Sequence, residues 1–147
     1  AIKQAVSIPV FANGDITSPE KARAVLDATG VDGLLIGRAA QGRPWIFREI
    51  EHYLRTGEHL PAPQLDEVEH ILLQHLAALH AFYGDVMGVR IARKHVGWYL
   101  ATRPGGKEFR SRFNALEDTQ AQCANVRAFF SERRQSLETE DGQGVAA

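Results

Sequence analysis

The sequence predicts two fold classes in succession, α/β over residues 1–57 and all-α over residues 66–135. Three observations predict this. Two short branched apolar runs, Ile8–Ala12 and Val31–Ile36, flank one capped helical stretch; strand, helix, strand with short links makes parallel strands joined by a right-handed crossover. After Leu65 no strand pattern returns, and apolar residues recur at spacings of three and four, the period of amphipathic helices. Between the two regions, residues 57–65 carry two prolines and no periodicity, which marks a linker at 58–65.

Residues 1–7 read as the tail of a preceding helix or loop. The chain opens Ala1-Ile2-Lys3-Gln4 without an initiator Met, so part of the gene product is expected upstream. Ile8–Ala12 is the first strand, with Pro9 tolerable only near its beginning. Asn13-Gly14-Asp15 is turn chemistry: Gly accepts positive φ, and Asn and Asp side chains bond nearby backbone. Ser18 is the expected N-cap, with Pro19 at the first helical position and Glu20 near the positive end of the dipole. Ala22, Val25 and Leu26 form the apolar stripe, and Gly30 ends the helix. In the second strand, Leu34-Leu35-Ile36 reads as buried on both faces. The strand stops at Gly37-Arg38, and a small-residue turn leads to a helix over 44–54, with Trp45, Ile46, Ile50, Tyr53 and Leu54 at helical spacing and Gly57 as cap.

Asp66-Glu67-Val68-Glu69 has the spacing of a capping box. It opens a helix with Val68, Ile71, Leu72, His75, Leu76, Leu79 and Phe82 on one face. Gly84 and Gly88 bracket a break, and a helix over 89–101 follows. After the turn at Pro104-Gly105-Gly106, a short helix carries Phe109 and Phe113. The last helix, 118–135, turns Val126, Phe129 and Phe130 inward. Residues 136–147 are polar and small, and a disordered, frayed tail is expected there.

The totals narrow the classes. With 147 residues, 44% hydrophobic and 24% charged, the composition is that of an ordinary globular chain. A complete (β/α)₈ barrel needs roughly 250 residues and does not fit. One cysteine excludes an internal disulfide and fits a reducing compartment. No apolar run approaches the ~20 residues of a membrane span, and no signal peptide is visible. The net charge of −1 hides a split: six acids and one base lie between Glu49 and His70, but seven bases and one acid between Val86 and Phe113.

Within the basic stretch, Arg90, Arg93, Lys94 and Gly97 share a helical face by the i, i+3, i+4, i+7 rule. His95, Trp98 and Tyr99 lie on adjoining faces. The stripe reads two ways, as a solvated face balanced by the acidic helix before it or as a footprint for a polyanion such as RNA. At the other end of the chain, Asn13-Gly14-Asp15 and Gly37-Arg38 end two parallel strands on one edge, where α/β folds bind ligands. Glycine lets an anion approach backbone amides, and arginine offers a charged fork for phosphate. Asp15 is expected to turn its amide to the anion and cap the next helix with its side chain. Arg43 could contact an anion or pair with an acid. Cys123 reads as a small packed thiol rather than a nucleophile. Of the histidines at 70, 75 and 80, His75 is expected at the core edge and the other two exposed, without metal-ligand spacing.

Three segments carry a resemblance. Residues 8–16 (Ile-Pro-Val-Phe-Ala-Asn-Gly-Asp-Ile), 36–45 (Ile-Gly-Arg-Ala-Ala-Gln-Gly-Arg-Pro-Trp) and 90–99 (Arg-Ile-Ala-Arg-Lys-His-Val-Gly-Trp-Tyr) resemble the tRNA-dihydrouridine synthases, the bacterial B-type branch in particular. Residues 109–114 (Phe-Arg-Ser-Arg-Phe-Asn) also fit, and the match spans about residues 5–135. The resemblance implies a cytoplasmic flavoenzyme built as a TIM barrel, of which this chain holds the last two strands and helices, followed by a helical tRNA-binding domain. By position, Asn13, Gly14, Asp15, Gly37 and Arg38 would hold the phosphate of FMN, and Arg90, Arg93 and Lys94 would grip tRNA. The implied reaction reduces uridine in tRNA with NADPH as reductant; the implied partners are tRNA and FMN, with neither DNA nor a membrane. The family's proton-donating cysteine and flavin-contacting lysine would lie upstream, so the piece alone is expected to be inactive. Two other readings remain: a self-standing RNA-binding helical module, and a fragment of another FMN-dependent TIM-barrel oxidoreductase.

Overall fold

The computed structural model describes residues 2–143, with side chains to residue 139. The elements run α1 (Ile2–Ala5), β1 (Phe11–Asn13), α2 (Pro19–Thr29), β2 (Gly33–Leu35), a 3₁₀ turn (Arg38–Ala40), α3 (Ile46–Thr56), α4 (Leu65–Leu100), α5 (Gly106–Phe113) and α6 (Thr119–Gln143). Two compact units meet between Ala62 and Pro63, inside the stretch expected as linker.

In the first unit β1 and β2 pair in parallel, Phe11 opposite Gly33, Ala12 opposite Leu34 and Asn13 opposite Leu35. The strands are shorter than the sequence predicts. Pro9 has no N–H to offer a ladder, and at the entrance the Val10 amide donates to the Asp32 carboxylate at 2.7 Å instead. The chain turns into α2 as expected: the Lys21 amide donates to the Ser18 hydroxyl at 3.2 Å, and Gly30 closes the helix in the left-handed conformation. Leu34 and Ile36 pack with Val25 and Leu54 against a core of Ile16, Ala22, Ile46 and Ile50.

The expectation that both faces of the second strand are buried does not hold. Helices cover the Ala12–Leu34 face only, and Phe11 and Leu35 on the other face are exposed. The Phe11 ring lies across Gly33, where a Cβ would come within 2.6 Å of it, so a side chain at 33 would displace the ring.

The second unit is all helical. Gly84, with φ 73° and ψ 179°, interrupts α4, a backbone conformation that costs an L side chain heavily and glycine little. The chain reverses there, so residues 65–83 and 85–100 form two antiparallel arms. Gly88 does not break the helix; it lets the arms touch, since a Cβ would sit 3.0 Å from His80 Cα. Val68, Leu72 and Leu76 of the first arm and Val96 and Leu100 of the second are buried with Phe109, Phe113, Val126 and Phe130. Phe109 joins the elements, its ring 5.5 Å from Phe113 and 4.8 Å from Phe129.

Four further expectations are corrected. Asp66 and Glu69 do not form a capping box: Gln64 stands at the N-cap without a side-chain bond. Both carboxylates accept from Arg134 Nη1, at 2.8 and 2.6 Å, because a guanidinium offers a charge-assisted bond where the box offers a neutral amide. Phe82, placed by periodicity on the inner face, is exposed, since the chain reverses two residues later and the inner face ends. His80 is half-buried and bonded to Gln122 Oε1 at 2.9 Å. Finally, α6 continues through Gln143, past the expected fraying at 136. Helix-forming side chains and back-bonds from Ser136 to the Glu132 carbonyl (3.0 Å) and from Thr139 to the Gln135 carbonyl (2.5 Å) accompany the extension. Residues 144–147 lie outside the described residues.

Candidate functional site

The two strand-end loops of the first unit build one cleft. Asn13 ends β1. The Ile16 amide then donates to the Gly14 carbonyl at 2.8 Å, a three-residue turn that reverses the chain over Asp15. Past β2, the Ala40 amide donates to the Gly37 carbonyl and the Gln41 amide to that of Arg38, at 3.0 and 3.1 Å, which winds the 3₁₀ turn. The result is a cleft of about 330 Å³ walled by Asn13, Gly14, Asp15 and Thr17 from one loop and by Gly37, Arg38 and Ala39 from the other. All five residues the sequence assigns to a phosphate meet there. Thr17 and Ala39 carry no signal of their own in the sequence and enter as neighbours.

The glycines are informative for what does not require them. Gly14 is not among the glycines with positive φ, contrary to the sequence expectation, and Gly37 has φ −100°. A Cβ on either meets nothing within 4 Å. Internal packing does not account for glycine at either position. What a Cβ would take up is open space at the cleft wall, the room an incoming group needs to reach backbone N–H groups.

Asp15 does not cap α2, a role Ser18 fills. Its carboxylate accepts from Arg38 Nη2 at 2.5 Å, with the two side chains 79% and 84% exposed. Arg43 settles on an acid: Nη2 donates to Glu49 Oε2 at 2.5 Å and Nη1 to the Thr17 carbonyl at 3.4 Å.

In the second unit the predicted cations are not equivalent. Arg90 is exposed. Lys94 Nζ stands 5.0 Å from the Trp98 ring centroid, a cation–π distance. Arg93 is half-buried; Nη2 donates to the Leu116 carbonyl at 3.0 Å, tying α4 to the α5–α6 turn, and its Nε is buried without a hydrogen-bond partner. The gap at Gly97 is filled by another cation: a Cβ there would lie 3.1 Å from Arg110 Nε. Arg110 therefore joins this face from α5. The glycine in the stripe was the only trace of it in the sequence.

Beside the stripe, His75, His95, Trp98 and Tyr99 form an aromatic cluster. His75 and His95 lie 4.8 Å apart, and His75 Nδ1 is 3.3 Å from the Tyr99 hydroxyl. Burial lowers the pKa of both imidazoles, with the neighbouring His75 and Lys94 adding to the effect on His95. Burial also pushes Tyr99 up to about 12. Cys123 is half-buried in α6 and its thiol pKa is raised by burial, which fits a packed thiol. Among the described residues no group of three or more His, Cys, Asp or Glu is arranged to hold a metal. No helix there is long and apolar enough to cross a membrane.

The family described as "Dihydrouridine synthase (Dus)" matches residues 1–134. The chain is 97% identical over 147 residues to a tRNA-dihydrouridine synthase B of Pseudomonas putida, covering 100% of this chain and 44% of that protein. The protein of the same name from Pseudomonas syringae is 77% identical over 146 residues, covering 99% of this chain and 43% of the relative. That of Serratia marcescens is 61% identical over 130 residues, covering 88% and 39%. The chain thus spans less than half the length of these curated relatives. The family model, matched over residues 1–134, and these relatives show one thing plainly: the chain belongs to the dihydrouridine synthase family.

Proposed function

We propose that the chain is the C-terminal part of a tRNA-dihydrouridine synthase, its first unit the closing portion of an FMN-binding TIM barrel and its second a tRNA-binding helical domain. The observation that carries this reading is the cleft between the loops after β1 and β2. Loops following the last strands of such a barrel are its usual phosphate site. The residues fit the group: Gly14 and Gly37 keep side chains off the wall, and Arg38 brings the charge a phosphate requires. Asn13 and the Asp15 amide complete the set. When bound, FMN supplies the hydride for reducing the C5–C6 bond of uridine, with NADPH as the source of electrons.

The chain's own residues hold and orient. Arg90, Lys94 and Arg110 present positive charge to the RNA backbone, while Arg93 holds the α5–α6 turn in place beside them. The proton donor the family implies lies outside residues 1–147, and Cys123, packed in α6, does not replace it; the chain by itself is inactive in this reading. A partial sheet with exposed Phe11 and Leu35 is what two barrel strands present without their neighbours. That favours this reading over a self-standing RNA-binding module. The all-helical basic unit favours it over other FMN barrels.

The test is an FMN titration of the full-length protein, followed by flavin fluorescence. Arg38→Ala is expected to weaken binding roughly 10- to 100-fold, the worth of a charge-assisted hydrogen bond, and Gly14→Ala, whose Cβ enters the open cleft wall, to weaken it by steric exclusion while the melting temperature holds. Undiminished affinity in both variants overturns the assignment.

A further inference from the structure

The reversal at Gly84 exposes a cluster the basic stripe does not explain. Phe82 and Val86 are 81% and 68% exposed, and Tyr83 and Met87 are exposed beside them. Single exposed apolar residues are ordinary, but a contiguous group marks a contact surface. The Phe82 and Tyr83 rings meet edge to face, 4.8 Å apart at 77°, so the ring presenting its edge keeps both its faces clear of the other. Val86 also lines a groove of about 290 Å³ with Val89, Arg90, Arg93 and one acid, Glu117. The aromatic tip and the basic groove are therefore one continuous surface, with Asp85 and Glu117 as its acids.

We infer that the tip of the α4 hairpin is a base-stacking surface, on which Phe82 and Tyr83 take an unstacked nucleobase of the RNA whose backbone meets Arg90. The inference rests on the tRNA reading of the helical unit and adds to it a contact that charge alone does not supply. Aromatic rings beside cations are how proteins hold single-stranded or splayed-out bases. A second copy of the chain is a poorer occupant, because four side chains fall well short of the ~800 Å² per partner of a stable interface. A lipid surface is poorer too, since insertion of the tip would bury the exposed Asp85 carboxylate, which a base stacked on the rings leaves in water.

The experiment measures binding of an unmodified tRNA transcript to the full-length protein over a range of salt. Phe82→Ala is expected to weaken binding about 5- to 100-fold with the slope of log K against log salt unchanged, and Phe82→Trp to keep wild-type affinity. Arg90→Ala is expected to weaken binding and reduce that slope by about one. If Arg90→Ala behaves so and Phe82→Ala binds as wild type, the stacking inference is overturned and the tRNA reading stands. If wild type shows no salt-dependent tRNA binding, the tRNA reading itself falls. Melting and sedimentation of Phe82→Ala are read alongside. A marked drop in melting temperature, or a dimer becoming a monomer, assigns the tip to packing or self-association and overturns the inference.

Discussion

Arg38 Nη2 and the Asp15 carboxylate meet at 2.5 Å, joining the loop after β1 to the loop after β2 at the mouth of the cleft. The pair has two opposed effects on an anion in that cleft. It aims the guanidinium, and it places a negative charge beside the anion. Exposed ion pairs contribute about 0–1 kcal/mol, so Arg38 is readily drawn to a phosphate without its partner. Repulsion between a carboxylate and a phosphate dianion a few ångströms away is at least comparable, even in water. Repulsion therefore wins.

Asp15→Asn, which keeps the backbone amide, is accordingly expected to tighten FMN binding to the full-length protein roughly 2- to 10-fold at low ionic strength. The gain shrinks as salt is raised. Titrations at two salt concentrations check this; weaker binding in the variant means that aiming Arg38 is the larger effect.

Gln122 is fully buried and ties the two arms of α4 to α6. Its Oε1 accepts from His80 Nε2 at 2.9 Å and its Nε2 donates to the Val89 carbonyl at 3.1 Å. Leucine has nearly the same volume but leaves the half-buried His80 nitrogen without this acceptor. Gln122→Leu is expected to cost about 1–3 kcal/mol, measured by urea unfolding followed by far-UV circular dichroism; unchanged stability counts against the amide as the clasp.

The His75–His95 pair sets a pH dependence. Both imidazoles have pKa values below the ordinary 6.5, so below that pH the unfolded chain binds more protons than the folded one. Their contribution is fully present above about 6.5 and is lost as pH falls through the folded values. The groups facing the pair offset none of this. Lys94 is cationic, Trp98 is neutral, and Tyr99, raised to about 12, keeps its proton. Melting temperature is expected to fall between pH 7.5 and 5.5, and less steeply in a His75→Phe, His95→Gln variant. Parallel profiles for the two proteins would assign the acid sensitivity elsewhere.

What the sequence by itself determined is what a few consecutive residues can decide. Ser18 and Gly30 bound α2, Gly57 ends α3 and Gly84 breaks α4. Caps and left-handed glycines act on backbone within four residues, so their outcome is legible locally. The five cleft residues were legible for a related reason. Two strands joined by a right-handed crossover bring their ends to one edge.

Only the tertiary structure decided which partner each polar group found. Asp15 left its own helix for Arg38, 23 residues on, and Asp66 left its capping box for Arg134, 68 residues on. Arg93 left the open stripe for the Leu116 carbonyl, and Arg110 took the gap at Gly97. A charged or bidentate partner brought close by packing outcompetes a neutral amide nearby in sequence. Periodicity put Phe82 on the inner face, but the chain reverses at Gly84, and a helical repeat carries no record of where the opposing surface ends.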